Sequence, residues 1–359
     1  MDTRSIQPIG AYESTYSGNQ QDFEKARLQA EQKTAKQIST NLKNPDLFEK
    51  CLATCAAERQ SHAQNYGQRQ SGLFGYARKL TSSLVHHTCM IDARYKDYSD
   101  RFTEKISQKF QEQLSDPGIW KSDVSTNTSK FELQKISPDR IRQILSSSLP
   151  NAAKGEIEIR EGKQCLNATY KANHPNEYKD AIIKTVLQKE RELISQGHVP
   201  EPNEKTEYLL GIARLNIVDP EDGKTKSLAT SQYLIRVDNQ NQFLPVILIH
   251  QDRFLIGKMQ TEAKKWFHVA ISWSQEQGEE KLKDAVGRIV YCLSHSMPYA
   301  RGSSAIIEWL EASLYRYHGF PNACEPSTLL FNLEALTSLS LEEFLESYQQ
   351  HKDLGKKEA

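Results

Sequence analysis

The stretch from Tyr208 to His250 constrains this chain most. Three runs rich in β-branched and aromatic residues, "YLLGIARLNIV", "ATSQYLIRV" and "FLPVILIH", are separated only by the turn sequences "DPEDGK" and "DNQNQ". Connections that short join antiparallel neighbours, because a parallel crossover needs about a dozen residues or more. The pattern predicts a small antiparallel sheet with β-hairpins over residues 206–257, in which "RFLIG" (253–257) is a further short strand. "HQDR" (His250–Arg253) then reads as another hairpin turn.

Around this core the apolar period changes from two to 3.6, which predicts helices. Downstream these are Thr261–Ser274, Glu279–Ser294 and Ser303–His318. Upstream, Gln21–Lys43 is charged and alanine-rich with a thin apolar stripe, and a second helix carries Leu47, Cys51 and Cys55 at helical spacing. A third stripe runs through Leu73, Leu80, Leu84, His87, Ile91 and Tyr95, and a fourth through Phe102, Ile106, Phe110 and Leu114. Four helices with short connections suggest a bundle. Pro117, Gly118 and a Ser/Thr/Asn cluster break the pattern, and Ser137 before Pro138 predicts a capped short helix.

The fold class predicted is α+β and mostly helical: an N-terminal helical bundle, then an α+β unit with a small antiparallel sheet and C-terminal helices. The boundaries expected are a flexible tail at 1–20, the bundle at 21–115, a linker at 116–130, an α+β domain at 131–335 with helices over 261–335, and a C-terminal helix and polar tail at 336–359.

Composition narrows the partners. The 359 residues allow two or three packed units. Lys+Arg and Asp+Glu both total 46, so no global field draws the chain to nucleic acid, and none is expected as a partner. The longest apolar run, Phe243–Ile249, falls far short of the ~20 residues a membrane-spanning helix needs. No secretory signal is visible at the start, where Asp2 stands and no apolar run follows. The six cysteines are thinly spread, and Cys51 and Cys55, four apart on a helix, read as buried reduced thiols rather than a metal or disulfide framework. No metal site is expected.

The densest chemistry lies in "HSMPYARGSSAIIEWLEASLYRYHGF", His295 to Phe320. Free N–H groups at a helix start favour a phosphate or carboxylate. Arg301 can fork onto an oxyanion, Gly302 lets backbone approach a ligand, and Ser303 and Ser304 add hydroxyls. Glu308 lies one turn beyond Ser304, and His295 is the candidate proton carrier. These residues predict a phosphate or nucleotide site, ATP being one candidate, with His295 and Glu308 as the catalytic pair. The same residues also suit an ordinary helix start, with Ser303 or Ser304 as N-cap and Gly319 as the stop. Elsewhere, His86 and His87 read as core histidines, and Glu156 and Glu158 as one solvated strand face.

"MPYARGSSA" resembles a degenerate form of the Fic loop motif, His-Pro-Phe-x-Asp/Glu-Gly-Asn-Gly/Lys-Arg, which joins two helices downstream of a β-hairpin. Pro298 and Tyr299 fall on its Pro-Phe, Gly302 on its Gly and Ser303 on its Asn. Met297 stands where the family has its base histidine, Arg301 at its acidic position and Ala305 at its closing arginine. The resemblance implies a relative without Fic chemistry unless His295 substitutes through a changed loop.

The C-terminal "LSLEEFLESYQQHKDLGKKEA", with Glu342, Glu343 and Glu346, resembles the export signal of Dot/Icm-type (type IVB) bacterial effectors. That resemblance implies delivery from the bacterial cytoplasm into a host cell. The function expected is engagement of a host protein through the helical unit, with nucleotidyl- or phosphate-group transfer as the alternative.

Overall fold

The computed structural model describes residues 20–67, 71–77, 87–89, 101–108, 111, 129–147, 159–160, 163–164, 184, 187, 191, 194–195, 201–202, 206–218, 223–237, 243–250, 253–299, 301–324 and 329–355. The fold is α+β and mostly helical. Among the described residues its helices include α1 (Gln20–Thr40), α2 (Leu47–Asn65), α3 (Pro138–Ser146), α4 (Arg253–Ile271), α5 (Glu279–Ser296), α6 (Ser303–Tyr317), α7 (Phe331–Thr337) and α8 (Leu341–His351), and residues 101–108, with buried Phe102 and Ile106, are helical as the fourth stripe predicts. The strands are β1 (His87–Cys89), β2 (Ser129–Ile136), β3 (Ile159–Arg160), β4 (Lys163–Gln164), β5 (Glu207–Val218), β6 (Thr225–Val237) and β7 (Phe243–His250).

Two compact units divide these elements, and the division differs from the expected boundaries. One unit is helical and gathers residues up to 78 with 256–336 and 342–359; the other holds 79–255 and 337–341. The first two helices belong to the helical unit, whereas residues 101–108 fall in the other. Those two helices pack with helices that follow them by more than two hundred residues. The thin stripe of α1 explains this: besides Phe23, Ala30 and Ile38 it buries Arg27, Glu31 and Thr34, which need polar partners that α2 alone does not supply. Arg27 pairs within α1 and Thr34 meets Cys55 of α2 at 3.5 Å, but Glu31 takes its second partner from α6, where Arg316 bonds it at 3.0 Å and Trp309 meets Phe23 at 5.5 Å.

In the helical unit α6 is the central element. Eleven of its fifteen residues are buried, from Ser303 round to Tyr315. It is packed by α1, α2 and α5, and α8 closes on α5 at Gly287, where a Cβ would come within 2.8 Å of Leu345. Phe344, Leu345, Tyr348 and Leu354 are buried. Residues 341–354 thus lay one face on the core, because apolar side chains recur there at helical spacing; residues 356–359, and the expected tail at 1–19, lie outside the described residues.

The other unit is built on a five-stranded antiparallel sheet in the order β1-β7-β6-β5-β2, with β3 and β4 paired separately. The three long strands fall on either side of the two turn sequences, of which residues 219–222 and 238–242 lie outside the described residues. Ser137 accepts a hydrogen bond from the Arg140 N–H at 3.2 Å, capping α3 as its sequence predicts. Phe102, Phe131 and Tyr233 form one aromatic cluster, with centroids 5.0 to 6.4 Å apart.

Three local expectations are corrected. His87–Cys89 is a strand paired with Ile247–Ile249, not part of a third helix, because the apolar β7 takes a partner on its second side. "RFLIG" opens α4 instead of forming a strand, since it continues the stripe of Met259, Ala263 and Phe267. "HQDR" therefore joins a strand to a helix and is no hairpin turn. His86, Glu156, Glu158 and the described residues' neighbours in the expected linker 116–128 lie outside the described residues.

Candidate functional site

The segment from His295 to Gly302 is held by its own polar groups. His295 is 1 % exposed, packs its ring 4.3 Å from Tyr291 and donates from Nε2 to the Ala335 carbonyl at 3.1 Å. Burial pulls its pKa down to about 3, against a lesser upward pull from the Ala335 bond. It is a neutral core histidine near neutrality, so it does not serve as the proton carrier expected of it.

Met297 ends α5 with φ 42°, in the left-handed region, and turns the chain into the loop. The Tyr299 N–H donates to Ser303 Oγ at 3.1 Å, and the Ser303 hydroxyl donates back to the Tyr299 carbonyl at 3.1 Å. Gly302 has φ 80°, and a Cβ there would sit 3.1 Å from Arg59 Cγ and 3.2 Å from Phe74 Cδ1. Close packing, rather than approach of a ligand, is what requires glycine. Arg301 lies over the Phe74 ring at 4.6 Å, with Arg59 on the same ring at 4.2 Å, and its carbonyl accepts from the Gly75 N–H at 3.1 Å. The four groups expected to cradle an anion thus separate. Arg301, Gly302 and Ser303 fasten the loop to residues 59 and 74–75 or to itself, and only Ser304 turns elsewhere.

Ser304 and Glu308, one turn apart on α6, face a recess of about 40 Å³ that they share with Arg27, Glu311, Asn332 and Lys352. Asn332 Nδ2 donates to Ser304 Oγ at 2.8 Å. Arg27 bridges Glu24 and Glu31, each at 2.7 Å. Lys352 pairs with Glu311 at 2.7 Å, and the Tyr348 hydroxyl donates to the same carboxylate at 2.7 Å. Lys352 also lies 5.0 Å from the Tyr315 ring centroid. Burial pushes the Glu308 carboxyl up to about 7, with Glu311 and Glu24 adding to the rise and Arg27 and Lys352 opposing it.

Sequence reasoning found Ser304 and Glu308 but not Arg27, Glu311, Asn332 or Lys352, which arrive from four different places in the chain. One signal was present: Arg27 and Glu31 stand in register with Phe23 and Ile38, so a salt bridge occupies an otherwise apolar stripe. The recess has room for a few waters or a small cationic head; pockets for drug-sized ligands run to roughly 300–1,000 Å³, so it does not hold a nucleotide.

Cys51, Cys55 and Cys292 are buried free thiols, and burial pushes those of Cys51 and Cys55 up to about 12. Among the described residues no group of His, Cys, Asp and Glu is arranged to hold a metal ion, and no helix is long and apolar enough to cross a membrane. No known family pattern matches the chain, and no curated protein matches its sequence.

Proposed function

We propose that the chain is a translocated bacterial effector that acts in the host cytoplasm by binding a host protein through its helical unit. The observation that carries binding over group transfer is the engagement of the 295–303 loop. Ser303 is bonded to both backbone groups of Tyr299, Arg301 is stacked on Phe74, and His295 is neutral and buried. A phosphate there would have to displace interactions that hold the loop. Export is supported by the resemblance of the Glu342, Glu343 and Glu346 segment to type IVB signals; these carboxylates lie on α8, with Glu346 exposed.

A second reading, nucleotidyl- or phosphate-group transfer, is favoured by one observation. A carboxyl that titrates near neutrality suits general acid–base work, and Glu308 stands one turn from the Ser304 hydroxyl.

Incubation with labelled ATP or NAD and host lysate separates the two. Binding predicts a retained host protein and no label transfer. Transfer that is lost in Glu308→Gln would replace the binding reading with the transferase. For export, removing residues 340–359 would strip Phe344, Leu345 and Tyr348 from the core, so the appropriate variant is Glu342→Gln, Glu343→Gln and Glu346→Gln together. A translocation reporter should show reduced delivery; undiminished delivery would remove these glutamates from the signal.

A further inference from the structure

Among the described charged residues around the α6 recess, all but Glu308 stand in an ion pair. Glu24, Arg27, Glu31 and Arg316 form a chain of two carboxylates and two guanidiniums. Glu311 and Lys352 pair one to one. Glu308 is left over, with no hydrogen bond or ion pair to any described residue. Its surface is half-buried, so water compensates it only in part.

We propose that this recess receives the ammonium head of a lysine side chain from the bound partner, seated on the Glu308 carboxylate. The inference rests on the protein-binding reading and names the chemistry of its anchor. Charge is the first argument: the cluster is one positive charge short, and an anion would have to break the Arg27 or Lys352 pairs to bind. Donor count is the second. An ammonium carries three N–H donors, and the recess offers three acceptors: the Glu308 carboxylate, the Asn332 side-chain carbonyl, and the second lone pair of Ser304 Oγ, whose first takes the Asn332 N–H. Size is the third, since about 40 Å³ suits a compact head better than a planar guanidinium. Val290, Ile307, Leu330 and Phe331 complete the lining with apolar surface, against which a lysine's methylenes can lie.

Ammonium binding and proton binding compete for the same carboxylate. The charged groups facing Glu308 are Arg27 and Glu24 from α1, Glu311 from α6 and Lys352 beyond α8, while α5 and α7 present uncharged Val290 and Asn332. In the empty recess their balance and burial leave the carboxyl protonated below neutrality. An entering ammonium must therefore release that proton, and affinity rises with pH.

The test uses the full chain and methylammonium chloride, with tetramethylammonium and sodium chloride at equal ionic strength as controls. Methylammonium should bind at pH 8, measured by calorimetry and by a raised Tm, and its affinity should fall on the order of tenfold at pH 6 as the carboxyl takes up its proton. Glu308→Gln should abolish the effect. Asn332→Leu, which removes an acceptor but no charge, should weaken it several-fold and serves as the second variant if Glu308→Gln does not fold. Equal response to tetramethylammonium, or binding that survives in either variant undiminished, would overturn the inference. A host protein retained equally by wild type and Glu308→Gln would overturn it too, yet leave the partner reading standing. Failure to retain any host protein would sink the partner reading and with it the partner's lysine, while the methylammonium titration would still decide separately whether the recess takes an ammonium.

Discussion

Ser303 and Ser304 are neighbours in the first turn of α6, and they have opposite fates. Ser303 is 2 % exposed and closes both of its bonds on Tyr299. Ser304 is half-buried, accepts from Asn332 and faces the recess with Glu308. The same division separates the two titratable residues at this end of the helical unit. His295 donates to Ala335 and stays neutral, while Glu308 has no hydrogen bond or ion pair to a described residue and burial pushes its carboxyl up to about 7. The difference teaches that the loop before a helix can be rich in reactive residue types and yet be structural, while reactivity sits one turn further on, where helices from distant parts of the chain converge.

The largest effect is expected at His295. His295→Ala would leave the Ala335 carbonyl without its donor and open a cavity beside Tyr291, so a loss of about 2–5 kcal/mol is expected in chemical denaturation. In the native chain the folded pKa lies below the ordinary 6.5, at about 3. The stability that neutral His295 contributes is therefore present above 6.5 and is lost as pH falls towards 3. If His295→Ala were as stable as the native chain, the residue would not be the structural anchor described here.

Gly302→Ala comes next. It places a side chain at φ 80° with Arg59 and Phe74 at 3.1 and 3.2 Å, and a loss of about 1–3 kcal/mol is expected by thermal unfolding, with methylammonium binding unchanged. Ser303→Ala and Ser304→Ala then sharpen the contrast between neighbours. Ser303→Ala should cost about 1–2 kcal/mol, since it strips the buried Tyr299 N–H of its acceptor, and should leave ligand binding alone. Ser304→Ala should cost less stability and weaken methylammonium, because it removes an acceptor that faces the recess. Calorimetry and melting curves on the pair would show whether the two effects separate in this way.

Much of the fold was legible because its signals are local. The stripes Leu282–Ala285–Ile289 and Ile307–Leu310–Leu314 specify α5 and α6, and two short turn sequences specify the β5–β6–β7 meander. The strand β2 escaped because Phe131 and Leu133 give only two inward positions beside a polar cluster. The opening of α4 was misread because Phe254, Leu255 and Ile256 are contiguous, and a short apolar run does not distinguish strand from helix. Of the candidate site, the pair Ser304 and Glu308 was legible through their one-turn spacing. The recess as a whole was not, because Arg27, Asn332 and Lys352 come to it from distant parts of the chain and nothing local couples them to α6. Arg301 misled for a physical reason: a guanidinium suits an oxyanion and an aromatic face equally well, and Phe74 lies outside the motif that contains it.

Titration of Glu308 is the most direct test of whether it is an uncompensated carboxyl that receives a cation. Carbon-detected NMR of the side-chain carboxyl in the full chain, with and without methylammonium, reads the pKa at the residue itself. The expected result is a midpoint near 7 in the free protein, moving down towards the ordinary 4.5 as methylammonium is added. Because the folded value lies above the unfolded one, stability should fall as pH rises from 4.5 to 7, opposite in sign to the His295 effect, and Glu308→Gln should flatten that fall. A midpoint near 4.5 that does not respond to methylammonium would mean that the carboxylate is already compensated, and would contradict the account.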